Sequence, residues 1–182
     1  MNFNQNILVI FAIIFITCLI NSPSTQATDQ RIVDRMCGVT NIPEVCQSCV
    51  RDTRPTYEVN QDMDVIICML RCALNDNQHL LSGAIIYARE ATNVTVKTVV
   101  NGCVENYTHV RFGIMKTQML TKERSYADAK DVIDTLVYPN MTACDHAIAQ
   151  SGIPMPPPLF GGSIVVASDF NMARQMLSVI KA

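Results

Sequence analysis

The 182-residue chain sets 14 Lys and Arg against 16 Asp and Glu, a formal net charge of −2, with no basic cluster longer than a couple of residues. That balance excludes an electrostatic nucleic-acid binder and gives no pull toward anionic membranes. Eight cysteines in a chain that is 49 % hydrophobic describe a domain with a core of its own, in which cysteine placement carries information.

Residues 1–27 have no charged side chain and contain the apolar run Ile7 to Ile20. A membrane-spanning helix needs about 20 apolar residues, so this shorter run fits the apolar region of a secretory signal peptide. Small residues at Thr25 and Ala27 place cleavage after Ala27, and Cys18 leaves with the signal. An uncleaved anchor is the alternative. Removing 27 residues from 182 leaves 155, enough for one domain over 28–182, with seven cysteines. Export makes disulfides the default state of those cysteines, and an odd number leaves at least one unpaired within the chain. Three sequons fit the same compartment, at Asn93, Asn106 and Asn140.

Asp29 to Arg51 reads as a helical hairpin. Ile32, Val33 and Met36 form a small apolar face, Cys37-Gly38 closes the first arm, and Pro43 suits the first turn of the second. A Cys37–Cys46 bridge would hold two arms that have little core between them. A connector containing Pro55 leads to the longest helical pattern, Gln61 to Glu90, with a polar stretch at Asn75 to His79 where a bend or break is expected. Thr95 is the expected cap of the next helix, whose seam is Val96, Val100, Cys103, Tyr107, Val110 and Ile114. A turn over Gln118 to Arg124 follows. The next pattern places Ala129, Val132, Ile133, Leu136, Ala143, Cys144, Ala147 and Ile148 on one face, interrupted by Pro139, which should kink or split it. Antiparallel packing of these two faces would bring Cys103 and Cys144 within disulfide reach. The proline-rich stretch Ser151 to Gly162 is an extended loop. Ser168-Asp169 opens a final helix facing inward through Phe170, Ala173, Met176/Leu177 and Ile180. The fold class is all-α: a hairpin (28–55) followed by a bundle of four helices (56–182).

Catalytic and metal signatures are absent. Cys46 and Cys49 have C-x-x-C spacing, and Cys68 and Cys72 share a helix face, so four thiolates could build a zinc site. Secretion and the lack of a nearby His favour an extra disulfide from Cys49 to Cys68 or Cys72, the leftover thiol being buried. His79, His109 and His146 are far apart and read as surface or boundary residues. Asp62/Asp64 and Asp131/Asp134 read as solvated helix faces, and the methionines as core filler. No metal or cofactor is expected.

The pattern resembles the plant invertase and pectin methylesterase inhibitor family over essentially the whole mature chain. The resemblance rests on C-x8-C at Cys37 and Cys46 with Thr40 and Pro43 between them. It rests too on C-x-E-x-Y at Cys103, Glu105 and Tyr107, and on Cys144 followed by Asp145, a Pro-containing loop and an apolar final helix. It implies an α-hairpin leading into an up-down-up-down four-helix bundle, with disulfides Cys37–Cys46 and Cys103–Cys144.

The resemblance further implies a non-enzymatic protein of the cell wall that forms a one-to-one complex with pectin methylesterase or acid invertase. Where invertase inhibitors carry Pro-Lys-Phe, this chain has Arg124-Ser125-Tyr126, which favours pectin methylesterase. Occlusion of the enzyme's cleft would use the two central helices, with Glu105 and Thr142 as expected contacts. His109, Ala143 and the extra cysteines depart from the family pattern and point to a second expectation, a diverged, non-inhibitory secreted binding or signalling module.

Overall fold

The computed structural model describes residues 23–53, 58–157 and 159–180, with side chains from residue 29 onward. The body of the expected signal peptide, Cys18 included, and Pro55 of the connector lie outside the described residues. Helices account for all the regular structure among the described residues: α1 (Pro23–Cys37), α2 (Pro43–Thr53), α3 (Asp62–Glu90), α4 (Val94–Lys122), α5 (Tyr126–Val132), a π-helical turn (Ile133–Val137), α6 (Tyr138–Ser151) and α7 (Gly162–Val179). The longest, α3, packs along both α4 and α7, and α4 also lies against α5, the π turn and α6. The small pair α1 and α2 packs on α3. Fully buried Ile66, Met69, Leu70, Tyr107, Ile114, Ile133, Phe170, Met172 and Met176 fill the space between the long helices.

Local chemistry explains the helix ends. The Thr40 hydroxyl donates to the Cys37 carbonyl at 2.7 Å, finishing α1, and Pro43 starts α2 where its missing N–H costs nothing. Asp64 is not part of a solvated face. It is buried, and its Oδ2 accepts from the backbone N–H groups of Asn60 and Gln61 at 2.8 and 2.9 Å, holding the start of α3. The helix then runs unbroken through Asn75 to His79, because Asn77 turns inward and donates to the Tyr107 carbonyl at 3.1 Å. The cap of α4 is Asn93 rather than Thr95, its side chain accepting from the Val96 N–H at 3.2 Å. At the far end, Ser125 N–H bonds Leu120 O and Arg124 N–H bonds Thr121 O, the paired bonds of a Schellman ending.

Pro139 neither splits nor ends its helix. The π turn just before it takes up one extra residue, with the Tyr138 N–H reaching back to the Ile133 carbonyl, so Pro139 enters as an early residue of α6. The extra residue shifts the buried register. The inward face runs Ile133, Val137, Met141, Cys144 and Ile148, while Ala143 is exposed and Leu136 only half-buried. Gly113 of α4 makes room for this turn: a Cβ there would lie 2.6 Å from Val137 Cγ2 and 3.4 Å from Leu136 Cδ2. Gly113→Ala is therefore expected to destabilise the fold by roughly 1–3 kcal/mol through overpacking. An unchanged urea midpoint would show that the turn yields freely.

The last helix begins at Gly162, well before Ser168-Asp169. A Cβ on Gly162 would lie 2.8 Å from Leu80 Cδ1, so its absence lets α7 close onto α3 there. Asp169 consequently sits in the helix interior and is buried.

Candidate functional site

Three disulfides cross-link the described chain: Cys37–Cys46, Cys49–Cys72 and Cys103–Cys144. Cys68 remains a buried thiol. Cys46 and Cys49 take different partners, so the C-x-x-C spacing forms neither a redox pair nor a zinc half-site. Among the described residues no three His, Cys, Asp or Glu side chains gather as a metal site.

The Cys103–Cys144 bridge joins α4 to α6 at a Cα–Cα distance of 4.8 Å. Beneath it the buried Tyr107 hydroxyl donates to Cys144 Sγ at 3.0 Å. Burial first, and the nearby Asp145 charge second, raise the phenol well above its ordinary pKa, so it remains a donor. Asp145 is half-buried, and that burial raises its carboxyl despite His146 and a hydrogen bond with Ser163 of α7.

Glu105 lies two residues beyond Cys103 and Thr142 two before Cys144. On antiparallel helices joined at the cysteines, equal offsets put them at one height, and a step of two turns each about 200° from the bridge. Both are exposed accordingly, together with His109, Ala143 and His146. The Thr142 hydroxyl shares its one proton between the Tyr138 and Pro139 carbonyls, at 3.0 and 3.1 Å. Around the bridge these exposed residues are mostly polar, on helices held rigid by the cross-link. No family model and no curated protein matches this chain.

The sequons sit in different surroundings. Asn93 is exposed at the open end of α4, whereas Asn106 and Asn140 are half-buried within helices. The Asn140 amide donates to the Leu136 carbonyl at 2.7 Å. His79, like the other two histidines, is exposed. Asp131 is exposed, but Asp134 is not a plain solvated carboxylate: it pairs with Arg174 of α7 and with Lys130. The Arg174 hydrogen bond is the largest influence holding its carboxyl below the usual range.

The core-filler reading fits Met36, Met69, Met141, Met172 and Met176, which are buried. It fails for Met115 and Met119, which with Phe112 form an exposed apolar stripe on α4 at 49 %, 51 % and 60 % accessibility. Their spacing of three and four was visible in the sequence, offset from the buried seam of the same helix.

Proposed function

We propose that this chain is a secreted, non-enzymatic inhibitor of a plant cell-wall carbohydrate-active enzyme, with pectin methylesterase the favoured target. In this reading α1 and α2 are the N-terminal hairpin, and α3, α4, α5–α6 and α7 are the up-down-up-down bundle. The protein acts in the apoplast by forming a one-to-one complex that fills the enzyme's substrate cleft. The observation that carries the proposal is the Cys103–Cys144 cross-link between α4 and α6, which holds exposed Glu105 and Thr142 at one height in a rigid setting. A preorganised surface loses little entropy on docking and suits stoichiometric inhibition.

Titration of the oxidised protein into pectin methylesterase and acid invertase at mildly acidic pH tests this. Methylesterase activity is expected to vanish near one equivalent, with invertase untouched. The Glu105→Ala/Thr142→Ala variant should bind about tenfold or more weakly with an unchanged melting temperature. Inhibition of invertase alone would reject the inference drawn from Arg124-Ser125-Tyr126. A folded protein that inhibits neither would favour a diverged binding or signalling module, the reading suggested by exposed His109 and Ala143.

A further inference from the structure

A concave surface lies where α1, the start of α3, the α4–α5 turn and the end of α7 meet. This open cleft has a volume of about 780 Å³, within the range of small-molecule sites. Ile32, Met36 and Val179 supply apolar wall, and Arg35, Asp62 and Arg124 supply charge. Arg35 is paired with Asp62, so those two charges cancel. Arg124 has no ion pair or side-chain hydrogen bond among the described residues, which leaves its described lining one positive charge in excess.

The backbone at Arg124 is unusual for its residue type. It occupies the residue of the Schellman ending that needs a left-handed conformation, with φ at 61°, a place ordinarily taken by Gly or Asn. A side chain with a Cβ costs roughly 1–2 kcal/mol in that conformation. Packing does not offset this, because Arg124 is exposed. Strained residues of this kind concentrate at ligand sites, and here the strain sets an unpaired guanidinium at the mouth of a partly apolar cleft.

We propose that this cleft binds a monoanionic organic ligand, with its carboxylate or sulfonate head on Arg124 and its apolar body against Ile32, Met36 and Val179. The site is separate from the proposed inhibitory face and stands or falls independently of it.

The probe is 8-anilinonaphthalene-1-sulfonate, an anion with an aromatic body, paired with the neutral N-phenyl-1-naphthylamine. The folded, oxidised protein should bind the sulfonate saturably at one site, less tightly in high salt, and octanoate should displace it. Arg124→Gly should weaken sulfonate binding about tenfold without lowering the melting temperature, because glycine suits the left-handed backbone. Arg124→Lys should keep most of the affinity, and the neutral probe should not respond to either change. The proposal is overturned if Arg124→Gly binds the sulfonate as tightly as the parent, if the neutral probe weakens in parallel, or if no saturable submillimolar binding occurs.

Discussion

Replacing Cys103 and Cys144 together with alanine is expected to lower the unfolding free energy by about 4 kcal/mol, the largest loss among the three cross-links. The bridge closes a sequence separation of 41 residues, against 23 for Cys49–Cys72 and 9 for Cys37–Cys46. Loop-closure entropy removed from the unfolded chain grows with the logarithm of that length, which gives about 3.4 and 2.6 kcal/mol for the shorter loops. A second effect acts in the same direction. Both sulfurs are fully buried, and Cys144 Sγ accepts the Tyr107 hydroxyl proton, so the variant also leaves a buried donor without its acceptor. Alanine is the proper replacement, since serine would bury new hydroxyls. Urea unfolding of the three paired variants reads the order directly. A smaller loss for Cys103/Cys144 than for Cys37/Cys46 would mean that α4 and the α5–α6 helix stay associated in the unfolded ensemble, so that the bridge has little left to restrict.

The parts of this fold that were legible in the sequence are those set by one helix at a time. Val100, Cys103, Tyr107, Val110 and Ile114 follow an unbroken 3.6-residue period, and all five are buried. Pro139 was legible as an interruption, but its resolution was not. A proline can break a helix or be accommodated behind a wide turn, and the wide turn needs a glycine facing it from another helix, here Gly113. Once one residue is absorbed there, Val137 and Met141 replace Leu136 and Ala143 on the inner face. Ser168-Asp169 has the look of a helix start for the same local reason. The true start depends on Gly162 meeting Leu80, a contact between residues far apart in sequence. At the candidate face, the cysteines and Glu105 stood out from their motif, whereas exposure of the Phe112, Met115 and Met119 stripe depends on which side of α4 the neighbouring helices cover. The Arg124 cleft is built from four separate elements and leaves no local signature at all.

Stability is expected to be greatest in mild acid and to fall as the pH rises toward 8, with Asp169 the principal cause. The residue is 3 % exposed, and one carboxyl oxygen, Oδ2, has no hydrogen-bond partner among the described residues. Burial, and then the hydrogen bond and charge of Asp76 on α3, raise its carboxyl to about 8. His79 and Asp76 line the same small cleft, Asp145 of α6 hydrogen-bonds Ser163 of α7, and Arg174 further along α7 is committed to Asp134, so among the described residues the charge acting on Asp169 is that of Asp76. An unfolded aspartate titrates near 4. Between about 4 and 8 the folded chain holds a proton that the unfolded chain has released, so stability declines by up to about 1.4 kcal/mol per pH unit. The contribution is complete below the unfolded value and is lost by the folded one. Asp134 works in the opposite sense: its lowered carboxyl stabilises above the unfolded value, and that contribution disappears as acid protonates it. The maximum should therefore lie just above the ordinary aspartate range. Asp169→Asn carries a neutral amide of nearly the same shape. It should match or slightly trail the parent at pH 4, exceed it at pH 8 and flatten the profile between. Urea midpoints at pH 4, 6 and 8 decide the matter. Parallel profiles for parent and variant would mean that Asp169 is ionised in the folded state and that water or a displaced α7 solvates it.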